Sequence, residues 1–170
     1  FTTRVMKLLV TGASGLLGRA VMQECTRAGH EVIGLAFSRV SGALVKLDLT
    51  DAEAIHGLIQ RERPDVVINL AAERRPDVVE RDPVAVKRLN VEAPASLAQA
   101  CATLDPPAYL LNISTDYVFD GRNPPYFVDS PTHPLNAYGM SKREGEIAVL
   151  DAALAGHATN LRLPVLYGDT

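Results

Sequence analysis

A chain of 170 residues, 47% of them hydrophobic, is long enough to bury one sizeable core, and a single domain over residues 1–170 is expected rather than two. Its net charge of −3 is mixed in sign, which leaves no basic face to recommend nucleic acid or an anionic membrane as a partner. No apolar run approaches the length of a membrane span.

The apolar run Met6–Val10 predicts a first strand, followed by Thr11-Gly12-Ala13-Ser14-Gly15-Leu16-Leu17-Gly18 and a helical pattern from Leu16 to about Ala28 that stops at Gly29. Glu31–Phe37 reads as a second strand, apolar from Val32 to Ala36 as a strand covered on both faces should be. After a short third strand, Ala43–Leu47, Thr50 or Asp51 caps a helix through about Glu62. Asp65–Leu70 is then the fourth strand, Glu73–Asp77 a charged loop, and Pro83–Leu104 a long helical region that Pro94 interrupts. Tyr109–Ile113 is the fifth strand, Asp120–Pro134 a long irregular segment, Ala137–Ala155 a helix and Thr159–Leu163 the sixth strand. Strands alternating with helices predict an α/β fold: a NAD(P)-binding Rossmann arrangement, doubly wound, with a parallel sheet in the order 3-2-1-4-5-6 and helices on both faces.

Gly12, Gly15 and Gly18 stand between the first strand and first helix, where a tight turn, close backbone approach to a phosphate and close helix packing each exclude a side chain. The turn is therefore the candidate pyrophosphate site, with the helix N-terminus facing the anion. At the end of the second strand, where an acid would accept from the adenosine ribose and repel a 2′-phosphate, the chain instead has Phe37-Ser38-Arg39. Ser38 and Arg39 favour NADP, with NAD as the alternative. Asp48 and Leu49 end the third strand, on the adenine side; Leu70, Ala71 and Ala72 end the fourth, where small residues leave room for a cofactor.

Tyr138 and Lys142 are four apart and share a helix face, so an ammonium beside the phenol is expected to favour its ionised form. Tyr138 is thereby the candidate general acid/base for proton exchange with a carbonyl or hydroxyl during hydride transfer to or from nicotinamide. Ser114 and Thr115 sit at the end of the fifth strand, where a hydroxyl can bond the same substrate oxygen. Cys25 and Cys101 lack partners at ligand spacing and read as reduced thiols of a cytoplasmic protein; the four scattered histidines suggest no metal site.

With these residues in view the chain resembles the extended short-chain dehydrogenase/reductases. The segments Ser114-Thr115-Asp116-Tyr117-Val118-Phe119-Asp120-Gly121 and Pro134-Leu135-Asn136-Ala137-Tyr138-Gly139, with Lys142, resemble dTDP-4-dehydrorhamnose reductases, which reduce a nucleotide-linked keto sugar. That resemblance implies Thr115 as the hydroxyl, with Ser114 as the alternative, Tyr138 as proton donor, Lys142 as its partner and a ribose contact, and Asp116 as a sugar contact. The stretch Ala71-Ala72-Glu73-Arg74-Arg75-Pro76-Asp77-Val78-Val79-Glu80 is more similar to the regulatory beta subunits of methionine adenosyltransferase. Those subunits bind NADP and modulate a separate catalytic subunit, an expected partner in place of a sugar substrate. The resemblance places cofactor contacts on Ser14, Gly15, Leu16, Leu17, Phe37, Ser38, Arg39, Asp48, Leu49, Leu70, Arg74, Tyr138 and Leu166. It also implies that Leu163–Gly168 leads into a smaller substrate-binding part that this chain lacks.

Overall fold

The computed structural model describes residues 4–166. Six strands, β1 (Lys7–Thr11), β2 (Glu31–Ala36), β3 (Val45–Lys46), β4 (Val66–Asn69), β5 (Tyr109–Thr115) and β6 (Ala158–Leu163), form one sheet in the order β3-β2-β1-β4-β5-β6. Every pairing is parallel, as the alternating pattern predicts.

The strands alternate between two apolar layers. On one face Leu9, Leu35, Val67 and Leu110 pack against Ile55, Leu58 and Ile59 of α2 (Ala52–Glu62), Leu97, Ala98 and Cys101 of α5 (Ala93–Ala102) and Val149 of α6 (Ala137–Ala152). On the other, Val10 and Ile68 meet Val21, Met22 and Cys25 of α1 (Leu16–Arg27). Burial pushes the Cys101 thiol up to about 12, so it stays protonated as a small core residue. Asp51 caps α2 by accepting from the Ala54 N–H at 3.0 Å.

Three helical elements differ from the sequence expectation. The charged stretch after β4 is only partly a loop, because Pro76 opens a short helix, α3 (Pro76–Arg81), its fixed φ suiting the first helical turn. The expected long helix is instead α4 (Pro83–Lys87), a π-turn over Arg88–Glu92, and α5. Pro94 stands in the first turn of α5, and the helix widens just ahead of it, with the Ala93 N–H bonded to the Arg88 carbonyl. This widening places Asn90 inward, 1% exposed. The helix predicted to run to Ala155 ends at Ala152. Of the passage expected to lead into a further part, Tyr167 and Gly168 lie outside the described residues. Among the described residues no helix is long and apolar enough to cross a membrane.

Candidate functional site

The glycine turn is built by backbone contacts that no side chain could enter. Gly12 has φ +64°, and a Cβ there would stand 3.0 Å from the Ala71 nitrogen. A Cβ on Gly18 would lie 2.2 Å from the Gly12 carbonyl oxygen, and one on Gly15 3.1 Å from that same oxygen. The Gly15 N–H donates to Gly12 O at 2.9 Å and the Ala13 N–H to Leu35 O at 3.0 Å, fixing the turn between β1, β2 and α1. Gly15 caps α1 without a side-chain bond, and no acid stands in the first turn, so the dipole and free N–H groups of this helix start suit an anion. The empty Cβ positions and uncapped helix fit a pyrophosphate.

Phe37, Ser38 and Arg39 follow β2 as an exposed lip, with Phe37 60% exposed. Asp48 Oδ1 accepts from Thr50 N and Thr50 Oγ1, closing the turn ahead of α2. Leu49 belongs to the apolar core. Leu70, Ala71 and Ala72 are half-buried at the end of β4. Leu166 is exposed beyond β6, on a segment that the sheet does not hold.

At the C-terminal end of β5, the Thr115 hydroxyl donates to Asp116 Oδ1 and accepts from the Tyr117 N–H, each at 3.2 Å. Asn136 caps α6 by accepting from the Gly139 N–H at 2.7 Å. A Cβ at Gly139 would lie 2.3 Å from Tyr117 O, so glycine there lets the first turn of α6 close on the end of β5. Tyr138 consequently meets Tyr117 edge to face, centroids 6.2 Å apart. Beside them Asp116, Tyr117, Phe119, Tyr126 and Leu135 line an open cavity of about 370 Å³. Ser114, the alternative hydroxyl, is 4% exposed, and its Oγ has no hydrogen-bond partner among the described residues.

The Lys142 ammonium is turned to the main chain of β5. Its ammonium donates to the Ile113 carbonyl at 2.7 Å and is 3% exposed; burial brings its pKa down to about 8, with Glu146 opposing. Burial likewise raises the Tyr138 phenol above its ordinary value, and the opposing cation is Arg74, not Lys142. Tyr138 is therefore held in its neutral, proton-donating form rather than pre-ionised. The two adjacent arginines are both exposed, and Arg75 pairs with Glu73 at 2.7 Å. The Arg75 bond holds the Glu73 carboxyl below the usual carboxylate range.

Sequence reasoning missed the buried polar frame. Asn90 accepts from the Glu73 N–H at 2.8 Å and donates to Glu73 O at 2.9 Å and Ser141 Oγ at 3.0 Å, tying the Arg74 loop to α6. Glu146, 1% exposed, takes Arg162 in two bonds of 2.8 and 2.7 Å and Arg143 at 3.0 Å. Burial alone would raise its pKa, but these bonds outweigh it. Among the described residues no group of three or more His, Cys, Asp or Glu is placed to hold a metal.

The glycine turn and the all-parallel sheet in the order β3-β2-β1-β4-β5-β6 together define a Rossmann domain. More narrowly, the chain belongs to the RmlD substrate binding domain family, whose model matches residues 6–170. It is 47% identical over 163 residues to methionine adenosyltransferase 2 subunit beta of Rattus norvegicus, covering 96% of this chain and 48% of that protein. It is 42% identical over 161 residues to a dTDP-4-dehydrorhamnose reductase of Streptomyces griseus, covering 94% of this chain and 50% of that enzyme. The structure of a dTDP-4-dehydrorhamnose reductase from Bacillus anthracis in complex with NADP matches with a TM-score of 0.83 at 26% identity, covering 98% of this chain and 56% of that one. The chain thus spans about half the length of the curated relatives it matches.

Proposed function

We propose that this chain is the NADP-holding domain of a regulatory beta subunit of methionine adenosyltransferase, which docks on the catalytic subunit that makes S-adenosylmethionine. The carrying observation is the 47% identity to the rat beta subunit over 163 residues. The exposed Arg74, in the stretch most similar to those subunits, supports it, because it leaves a cation close enough to act on Tyr138. Gly12, Ser14, Gly15, Leu16, Leu17 and Gly18 hold the pyrophosphate; Phe37, Ser38 and Arg39 the phosphorylated ribose; Asp48 and Leu49 the adenine. Leu70, Ala71, Ala72, Arg74, Tyr138, Lys142 and Leu166 border the nicotinamide half. Residues 1–170 act as one domain, a smaller part supplies the rest of the subunit, and the protein works in the cytoplasm.

A second reading rests on a different observation, the retained Thr115, Tyr138 and Lys142 on adjoining ends of β5 and α6. In it the protein reduces a nucleotide-linked keto sugar. The dinucleotide supplies hydride when bound; Thr115 orients the substrate oxygen, neutral Tyr138 gives it a proton, and Lys142 holds the site's frame through Ile113. Pairing the protein with a methionine adenosyltransferase catalytic subunit separates the two. Association and a changed rate of S-adenosylmethionine formation are expected. No association, together with NADPH oxidation driven by a dTDP-4-keto sugar, would establish the reductase instead.

Arg39→Asp is expected to weaken NADP binding about 30-fold while changing NAD binding less than about threefold, since it replaces a charge-assisted bond by repulsion. Equal losses in calorimetric titrations would show that Arg39 does not read the 2′-phosphate. Tyr138→Phe is expected to keep NADPH affinity within about threefold and to reduce any sugar-reductase turnover at least about 1,000-fold. Undiminished turnover would remove Tyr138 from the acid role.

A further inference from the structure

Four side chains form one row across the sheet. Thr11, Asn69, Asn112 and Asn160 are register partners on β1, β4, β5 and β6, directly above the apolar row Leu9, Val67, Leu110 and Ala158. The Thr11 hydroxyl donates to Asn69 Oδ1 at 2.6 Å, Asn69 Nδ2 to Asn112 Oδ1 at 2.8 Å, Asn112 Nδ2 to Asn160 Oδ1 at 2.8 Å and Asn160 Nδ2 to the Glu146 carbonyl at 3.0 Å. Thr11 Oγ1 also accepts from the Leu70 N–H at 3.1 Å and the Ala71 N–H at 3.3 Å. Thr11 is 0%, Asn69 1% and Asn112 1% exposed, so water cannot substitute for a lost partner.

The direction of this ladder is imposed at both ends. The Glu146 carbonyl can only accept, so Asn160 must turn its amino group to α6 and its oxygen to Asn112, and the same constraint passes to Asn69. At the other end two backbone N–H groups can only donate, so Thr11 must accept from both and send its proton toward Asn69. Both demands agree, every hydroxyl site on Thr11 is used, and aligned links polarise one another.

We propose that the ladder is the positioning device of the dinucleotide crevice, with Asn112 acting at a distance. By orienting the Thr11 hydroxyl it clamps the Leu70–Ala71 backbone over Gly12, setting the gap between the pyrophosphate turn and the end of β4. It also joins that turn to α6, the helix of Tyr138 and Lys142. The inference rests on the cofactor reading for its purpose, although its wiring does not depend on it.

Asn112→Asp tests the direction. An ionised aspartate can accept from Asn69 but opposes the Asn160 oxygen, and if Asn160 turns over, its oxygen faces the Glu146 carbonyl. A protonated aspartic acid accepts at one oxygen and donates from the other, reproducing the native wiring. The charged groups on the elements packed around this part of β5 are Lys142, Arg143 and Glu146 of α6 and Arg162 of β6. Lys142 is bound to Ile113 O, and Glu146 is held by both arginines. At pH 7 the variant is expected to bind NADP about tenfold more weakly than wild type and to exchange the Leu70 and Ala71 amide protons about tenfold faster relative to wild type. At pH 5.5 both differences should narrow to about threefold or less as the introduced acid protonates. Thr11→Val should reproduce both losses at either pH, and Thr11→Ser should restore them, which keeps the proposal testable if the aspartate variant fails to fold. Unchanged affinity and exchange in Thr11→Val, or equal losses in Asn112→Asp at both pH values, would overturn the proposal. Wild-type protein that binds no NADP would overturn the cofactor reading and the ladder's purpose, while the exchange measurement would still decide its direction.

Discussion

Gly18→Ala is expected to weaken NADP binding at least about 100-fold and to cost the fold about 2–3 kcal/mol. Helix propensity alone points the other way, since alanine in a helix is worth up to about 1 kcal/mol over glycine. Space decides the sign. The new Cβ would stand 2.2 Å from the Gly12 carbonyl oxygen and 2.7 Å from Ala13 Cα, both backbone atoms that cannot rotate away. Gly12 in turn abuts the Ala71 nitrogen, so α1 must lift off the glycine turn. Gly29→Ala is the control. There φ is +85° with nothing within 4 Å of a Cβ, so the cost is backbone strain of about 1 kcal/mol and affinity is unchanged. Denaturant unfolding and NADPH fluorescence titration measure both. Wild-type affinity in Gly18→Ala would mean that the turn does not carry the pyrophosphate.

The second large effect concerns Lys142 and pH. Burial lowers its pKa from 10.5 to about 8. Between those values the unfolded chain binds a proton that the native chain releases, so stability rises with pH across the window and is flat for this group below it. The full rise is ~3 kcal/mol, present above the unfolded value and absent below the native one. Lys142→Met removes the titrating group. The increase in unfolding free energy from pH 7 to pH 10 should therefore be smaller in the variant, and equal increases would place the ammonium in water rather than under α6. Burial of Tyr138 raises its phenol above the ordinary value, which favours the protonated form a donor needs.

Much of this site was legible from residue types in order. The parallel sheet order followed from strands alternating with helices, because a buried parallel strand is apolar throughout and its crossover must be long. Gly12, Gly15 and Gly18 carried their meaning through position, between an apolar run and a helix start. Pro76 and Pro94 were visible as punctuation, yet one opened α3 inside an expected loop and the other stood beside a π-turn, outcomes that depend on which neighbours need the freed backbone groups.

Spacing placed Tyr138 and Lys142 on one helical turn, but it could not reveal where the ammonium ends. The Ile113 carbonyl lies 29 residues away and captures it, leaving Arg74 as the cation opposing the upward shift of Tyr138. Likewise Arg74 and Arg75 are adjacent and alike in sequence, and only packing assigns Arg75 to Glu73.

The sequence by itself determined the sheet, its order and the placing of the glycine turn between the first strand and first helix, because these depend on local periodicity and on residues close along the chain. Tertiary structure alone decided the proton affinities, the pairing of charges and the asparagine ladder. Those depend on burial and on hydrogen bonds between residues as far as 60 positions apart, where desolvation makes each unsatisfied group costly enough to dictate its partner.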